Sequence, residues 1–126
     1  MKLRIKGPSL RVRLTQGEVR ALADGGRIEE HVPFGGGVKL TYRLRRDAAA
    51  TQISASFAGG VLEIRVPEAM ARDWCASQEV TLAGTQQAAP EALRITVEKD
   101  FACLAPRTGE DESDNFPHPE TGAKVC

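Results

Sequence analysis

The sequence has little that points to nucleic acids, membranes or export. Aromatic residues are 5% of its 126 residues, too few to form a stacking platform for bases. No apolar run approaches the roughly 18 residues of a membrane span, and the opening stretch lacks the apolar core of a signal peptide. Seventeen basic residues balance seventeen acidic ones, so the chain is not a polycation. These absences predict a cytoplasmic protein that has no membrane segment and does not bind nucleic acid.

Cysteine and histidine are also scarce, and no motif specifies a reaction or a cofactor. The three cysteines are an odd number, and without an export signal they are expected to be free thiols. One metal alternative exists: Cys103, His118 and Cys126, joined by a carboxylate, would supply four zinc ligands, although their spacing matches no standard zinc motif. A Cys103–Cys126 disulfide and a Cys103–His118 catalytic pair are further alternatives. The sequence favours a protein that is not an enzyme.

What the sequence does have is regular alternation of apolar and polar residues. Apolar residues at every second position across 10–14, 38–44 and 93–97 predict half-buried strands. Two segments break this rhythm with helical spacing, one after the capping-box residues Thr15 and Glu18 and the other after Pro67. The expected class is therefore α+β with two helices.

The same order of elements occurs twice along the chain. Residues 1–47 and 51–100 each read as strand, strand, helix, strand, strand. A unit of this size buries too little surface to fold alone, but two units can cover each other. We therefore expect a single domain over residues 1–104. Its strands are expected to form a curved antiparallel sheet or a partly closed barrel covered by the two helices.

The polar face of the predicted strands is rich in arginine. Arg11, Arg13, Arg43, Arg45 and Arg65 all fall in the phase that points away from the core. Guanidinium groups bind phosphate and carboxylate through paired hydrogen bonds. If the sheet curves, these side chains converge, and they predict a non-catalytic site for a small anionic ligand.

Residues 105–126 differ from the rest of the chain. They are acidic and contain several prolines, and we expect them to pack on the body through Phe116. Two roles are open for this tail. In the first, Asp111 and Asp114 form a lid over the basic face. In the second, the stretch 116–119 contacts a protein partner; an exposed sheet edge is the other candidate for such a contact.

A third functional class is a metal-dependent hydrolase with a charged tunnel. Proteins of this class build an eight-stranded tunnel that binds and hydrolyses triphosphates, and this chain is similar to them in its charge alternation and duplicated layout. It departs from them near its start, where basic Lys2, Arg4 and Lys6 replace the Glu-x-Glu-x-Lys run. Metal-dependent chemistry is accordingly not favoured.

Two stretches at the ends of the chain are distinctive. The first is KLRIKG and SLRVRLTQ at residues 2–7 and 9–16, and the second is VEKDFxCL and EDxxDxFPxP at residues 97–104 and 110–119. In these two stretches the chain resembles a family of small uncharacterised bacterial proteins. The resemblance spans almost the whole chain. It implies a bacterial cytoplasmic origin and a compact domain, and it implies no activity.

Overall fold

The chain folds into two sheets and two helices around one core. A computed structural model describes residues 1–101 and 114–117. In chain order the elements are β1 (Lys2–Ile5), β2 (Ser9–Leu14), α1 (Gln16–Gly25), β3 (Arg27–Gly35), β4 (Val38–Asp47), β5 (Ser54–Ala58), β6 (Val61–Pro67), α2 (Glu68–Ala76), β7 (Thr81–Ala88) and β8 (Glu91–Lys99). The predicted α+β class with two helices is confirmed. Neither helix in these ranges is long and apolar enough to cross a membrane.

The strands form two mixed sheets of four strands each. Sheet A has the order β1-β2-β8-β7, and sheet B has the order β3-β4-β6-β5. The hairpin neighbours are antiparallel, but the central pairs β2–β8 and β4–β6 are parallel. The single antiparallel sheet expected from the sequence is instead two sheets whose central pairs are parallel. The expected partly closed barrel is also wrong, because within the described residues the two sheets do not close on each other. Alternation shows which face of a strand is buried, but it does not show which distant strand lies beside it.

The two halves of the chain are related by their pairing. In sheet A the second strand of the first half lies beside the last strand of the second half, and in sheet B the roles are reversed. Each half therefore completes its sheet with strands from the other half. The boundaries at 47, 51 and 104 stay predictions.

The core lies between the two sheets and the two helices. Leu14 and Ile95 from sheet A and Leu44 and Ile64 from sheet B are fully buried in one apolar cluster. Trp74 of α2 is also fully buried, and its indole N–H donates a hydrogen bond of 3.2 Å to a backbone carbonyl. Burying large side chains from both sheets and both helices in one cluster is what fixes the sheets relative to the helices.

Side chains bridge one side of the molecule, where β5 approaches β7. The Gln86 amide accepts a 2.7 Å hydrogen bond from the Ala55 N–H and donates one of 2.9 Å to the Ala55 carbonyl. Gly84 lies against Ile53, and a Cβ at this glycine would lie 3.0 Å from the Ile53 side chain. Gln86 thus takes the place of a backbone ladder between the sheets.

The segment 114–117 returns to the start of α1. The Asp114 carboxylate accepts hydrogen bonds of 3.1 and 3.2 Å from the Gly17 N–H, and its carbonyl accepts one of 2.8 Å from Gln16. The Phe116 N–H donates to the Asp100 carbonyl at 2.5 Å. Asp114 therefore binds the free N–H groups of the first helical turn instead of covering the basic strands. Asp111 lies outside the described residues, and the tail boundary at 105 stays a prediction.

We expect Asp114→Ala to lower the free energy of unfolding by about 1 kcal/mol, because it removes an acceptor from the first turn of α1. Thermal or urea unfolding of the whole chain measures this loss. Asp24→Asn is the matched control, since Asp24 is exposed near the other end of the same helix. Equal stability of Asp114→Ala and the parent protein would show that this carboxylate does not stabilise α1.

Candidate functional site

The structure divides the five arginines of the predicted site between two surfaces. Arg11 and Arg13 lie on the face of sheet A that is turned away from the core. Arg43, Arg45 and Arg65 lie on the corresponding face of sheet B. The two groups belong to different sheets, and each has its own acidic neighbours.

On sheet B the three arginines surround one carboxylate. The Glu63 carboxylate oxygens lie 2.8 Å from Arg43 Nη1, 2.9 Å from Arg65 Nη1 and 3.1 Å from Arg45 Nε. The pairing of β4 with β6 places Arg43 directly beside Glu63 and Arg45 beside Arg65. A carboxylate that accepts from three guanidinium groups is a strongly charge-assisted arrangement.

A second carboxylate extends this cluster across β3. Arg43 Nε donates to Glu29 at 2.6 Å, so this one guanidinium bridges two carboxylates. Arg27 lies 3.7 Å from Glu29, and His31 Nε2 lies 3.5 Å from it. The sheet B arginines are therefore already paired within the protein and are poor candidates for a ligand.

The arginines of this cluster lower the pKa of both carboxylates. Burial acts to raise the pKa of Glu63, but hydrogen bonds from Arg43, Arg65 and Arg45 outweigh it and hold that pKa at about 2, below the ordinary 4.5. The Arg43 hydrogen bond likewise lowers the pKa of Glu29. Both carboxylates therefore stay charged well into acid.

The outer face of sheet A has a different balance. We call its basic side chains the sheet A basic face: Lys2, Arg4, Lys6, Arg11, Arg13 and Arg94. Within residues 1–101 and 114–117, two carboxylates contact this face. Glu98 lies 2.6 Å from Arg13 Nε and 3.9 Å from Arg11 Nε, and Asp100 lies 3.1 Å from Lys2 Nζ. Among the described residues, Arg4 and Lys6 have no carboxylate within ion-pair distance.

Shallow depressions mark this surface. One of about 210 Å³ is lined by Arg4, Lys6, Ser9 and Arg11. Another of about 160 Å³ lies next to it, and Arg4 and Arg11 line both. These two arginines are cross-strand partners of β1 and β2, so their side chains start from facing positions.

Sequence reasoning missed Arg4, Lys6 and Ser9 as site residues. They lie in the same polar phase or loop as Arg11, and their proximity depends on the β1–β2 hairpin. The signal available was the local charge, since the stretch 2–13 contains five basic residues and no acidic one. Conversely, the acidic partners of Arg43, Arg45 and Arg65 come from three strands, whose order alternation does not reveal.

The candidate zinc ligands Cys103, His118 and Cys126 all lie outside the described residues. Within residues 1–101 and 114–117, no group of three metal-ligating side chains comes together. Cys75 is a half-buried free thiol, and burial raises its pKa. This thiol is therefore weakly reactive, as expected for a small apolar packing residue.

Comparison with known proteins identifies a family whose function is unknown. Residues 1–120 match the model of a family of unknown function, DUF7009. The chain belongs to this family. No curated protein and no solved structure matches it. Membership in DUF7009 confirms the resemblance to an uncharacterised family, while the bacterial origin stays a prediction.

We expect Glu63→Gln to destabilise the protein at neutral pH, because Arg43, Arg45 and Arg65 lose the negative carboxylate that they share. The pKa of Glu63 is lower in the folded protein than the ordinary 4.5, so its stabilising contribution is complete above that value. It is lost as the pH falls from 4.5 towards about 2. The stability difference between the parent protein and Glu63→Gln should therefore shrink over this window, as measured by urea unfolding.

The control for this experiment is Glu91→Gln, which removes an exposed charge at the start of β8. Its stability should follow that of the parent protein at every pH. A Glu63→Gln deficit of the same size at pH 7 and pH 2 would contradict the ion-pair explanation and point to a packing defect.

Proposed function

We propose that this protein is a non-catalytic binding module for a small phosphate- or carboxylate-bearing anion, and that the anion binds on the sheet A basic face. The observation that carries the proposal is the facing pair Arg4 and Arg11. They are cross-strand partners lining the same depressions, and Arg4 has no carboxylate partner among the described residues.

Arg4 and Arg11 face each other across β1 and β2, and their repulsion costs stability that a bound anion would restore. Like-charged side chains directly opposite each other in an antiparallel pair destabilise the sheet. On sheet B the same difficulty is met by Glu63 and Glu29, whereas on sheet A Glu98 reaches chiefly Arg13. An anion between Arg4 and Arg11 would fill the role that Glu63 has among its arginines.

The residues around the depression supply suitable hydrogen-bond donors. Arg4 and Arg11 offer planar guanidinium groups that can bind two oxygens of one anion, and Lys6 adds a mobile positive charge. Ser9 lies at the same edge, although its hydroxyl already donates to the Lys6 carbonyl at 2.6 Å. Because Arg11 is well exposed (41%), the site favours modest affinity that weakens with salt.

The hydrolase alternative has less support. A triphosphate tunnel requires charged strand faces that enclose a channel, and in the described residues the two sheets are not joined into a barrel. The charged faces also point away from a shared apolar core. We therefore assign the arginines of sheet B to stability and those of sheet A to binding.

A protein-interaction role is the second candidate, favoured by exposed apolar side chains. Phe34 and Val38 beside the β3–β4 turn are 66% and 63% exposed, and Phe57 on the edge strand β5 is 68% exposed. Phe34 and Phe57 lie on the two edge strands of sheet B, and exposed large apolar side chains on sheet edges are candidate contact residues. Phe34→Ser with Phe57→Ser would remove a bound partner without changing anion binding.

The anion proposal is tested by thermal unfolding and by titration calorimetry with phosphate, pyrophosphate and citrate. Each is compared with sodium chloride at equal ionic strength. We expect at least one of the three anions to raise the melting temperature with occupancy, beyond the chloride effect. Arg4→Ala and Arg11→Ala should each weaken its binding about tenfold or more, since each removes a charge-assisted contact.

The matched control is Arg72→Ala on α2, which removes an exposed arginine that pairs, among the described residues, with Glu68 of its own helix. It should bind the anion like the parent protein. Identical stabilisation by chloride and by all three oxyanions would overturn the proposal, as would binding that survives in the double variant Arg4→Ala, Arg11→Ala.

A further inference from the structure

A separate cavity opens beside the end of β8, on the other side of that strand from Glu98. Its volume is about 450 Å³, which is within the usual range of small-molecule sites. Among the described residues it is lined by Ser77, Gln78, Val80, Lys99, Phe101, Phe116 and Pro117. Its walls are mainly apolar, and Lys99 contributes the charged group.

Lys99 is a buried lysine, with 4% of its surface exposed. Its Nζ donates a 2.6 Å hydrogen bond to the Ser77 carbonyl. The same atom lies 5.2 Å from the centre of the Trp74 ring and 5.5 Å from that of Phe116. The ammonium group is thus held by one carbonyl and two aromatic faces.

No carboxylate within the described ranges forms an ion pair with Lys99. Its sequence neighbours are committed elsewhere, because Glu98 pairs with Arg13 and Asp100 lies 3.1 Å from Lys2 Nζ. Burial lowers the pKa of Lys99, and electrostatic interactions with Cys75 and Glu79 oppose this only partly. A buried ammonium with no counter-ion in residues 1–101 and 114–117 stands out, since charged side chains are normally buried with a partner.

We propose that this cavity binds a small monocarboxylate with an aromatic or aliphatic body, and that Lys99 is the counter-ion of its carboxylate. The site is independent of the sheet A basic face, and its ligand differs in being largely apolar.

The surroundings of Lys99 favour this class of ligand over a phosphate. The walls of the cavity include Val80, Phe101, Phe116 and Pro117, which suit a hydrocarbon or an aromatic ring. One lysine can neutralise a single negative charge, whereas a phosphate ester carries more charge than this apolar site can balance. Gln78 is exposed at the rim and leaves a polar opening.

The test uses phenylacetate as the probe, with uncharged 2-phenylethanol and cationic 2-phenylethylamine as shape-matched comparisons. Titration calorimetry or ligand-observed NMR on the whole chain should show saturable binding of phenylacetate. The alcohol should bind about tenfold more weakly or not at all, because it lacks the charge-assisted contact. Equal binding of the acid and the alcohol would overturn the role of Lys99.

Two variants separate the cavity from the fold. Lys99→Met keeps the length and apolar stem of the side chain and should abolish the preference for the acid. Gln78→Trp adds bulk at the exposed rim and should block all probes with Lys99 intact. Lys39→Met is the control for loss of an exposed lysine and should bind normally.

The Arg4→Ala, Arg11→Ala double variant distinguishes this site from the anion site. Phenylacetate should bind it like the parent protein, whereas phosphate, pyrophosphate and citrate should not. Loss of phenylacetate binding in this variant would assign the probe to the sheet A basic face. Absence of saturable binding to the folded parent protein would show that Lys99 and its aromatic neighbours are only a packing arrangement.

Discussion

The parallel pairing of strands from opposite halves of the chain determines most of this structure. In β2–β8 and β4–β6, each half supplies the strand that completes the other half's sheet. Neither half has a finished apolar face alone, so Leu14, Leu44, Ile64 and Ile95 become buried together. The same pairing decides which charged residues meet on the outside, because Arg43 acquires Glu63 and Arg13 acquires Glu98 across these parallel pairs.

The two outer faces show how the same composition produces different electrostatics. On sheet B, arginines and carboxylates are interleaved, and the low pKa of Glu63 follows from that contact. On sheet A, the β1–β2 hairpin brings basic residues opposite each other. Among the described residues Glu98 pairs with Arg11 and Arg13 and Asp100 pairs with Lys2, whereas Arg4 and Lys6 have no carboxylate partner. A net charge of zero for the chain therefore conceals one face that is internally neutralised and another that is not. This contrast leaves the outer face of sheet A with unpaired arginine and lysine side chains in the part of the chain that the structure describes.

Much of the fold could be read from the sequence, and much of the site could not. Alternation identified strands such as 10–14 and 38–44, and the capping box at Thr15 and Glu18 marked the start of α1. These signals depend on neighbours in the chain. The grouping of Arg11 with Arg65 failed because sheet membership depends on contacts between residues far apart. Lys99 follows Ile95 and Val97 in the buried phase of β8, which was the signal available. The sequence gives no sign that Trp74 and Phe116 will cover its ammonium group.

The position of Asp114 also constrains the order in which the chain can assemble. Asp114 accepts a hydrogen bond from Gly17 at the start of α1, and Phe116 donates one to Asp100 just after β8. Those two places are neighbours because β2 lies beside β8, and the Asp100 N–H donates to Leu14. The receiving groups are therefore not adjacent until that pair has formed. The contacts of this short segment therefore require the β2–β8 pair, and their presence reports that this pair is in place.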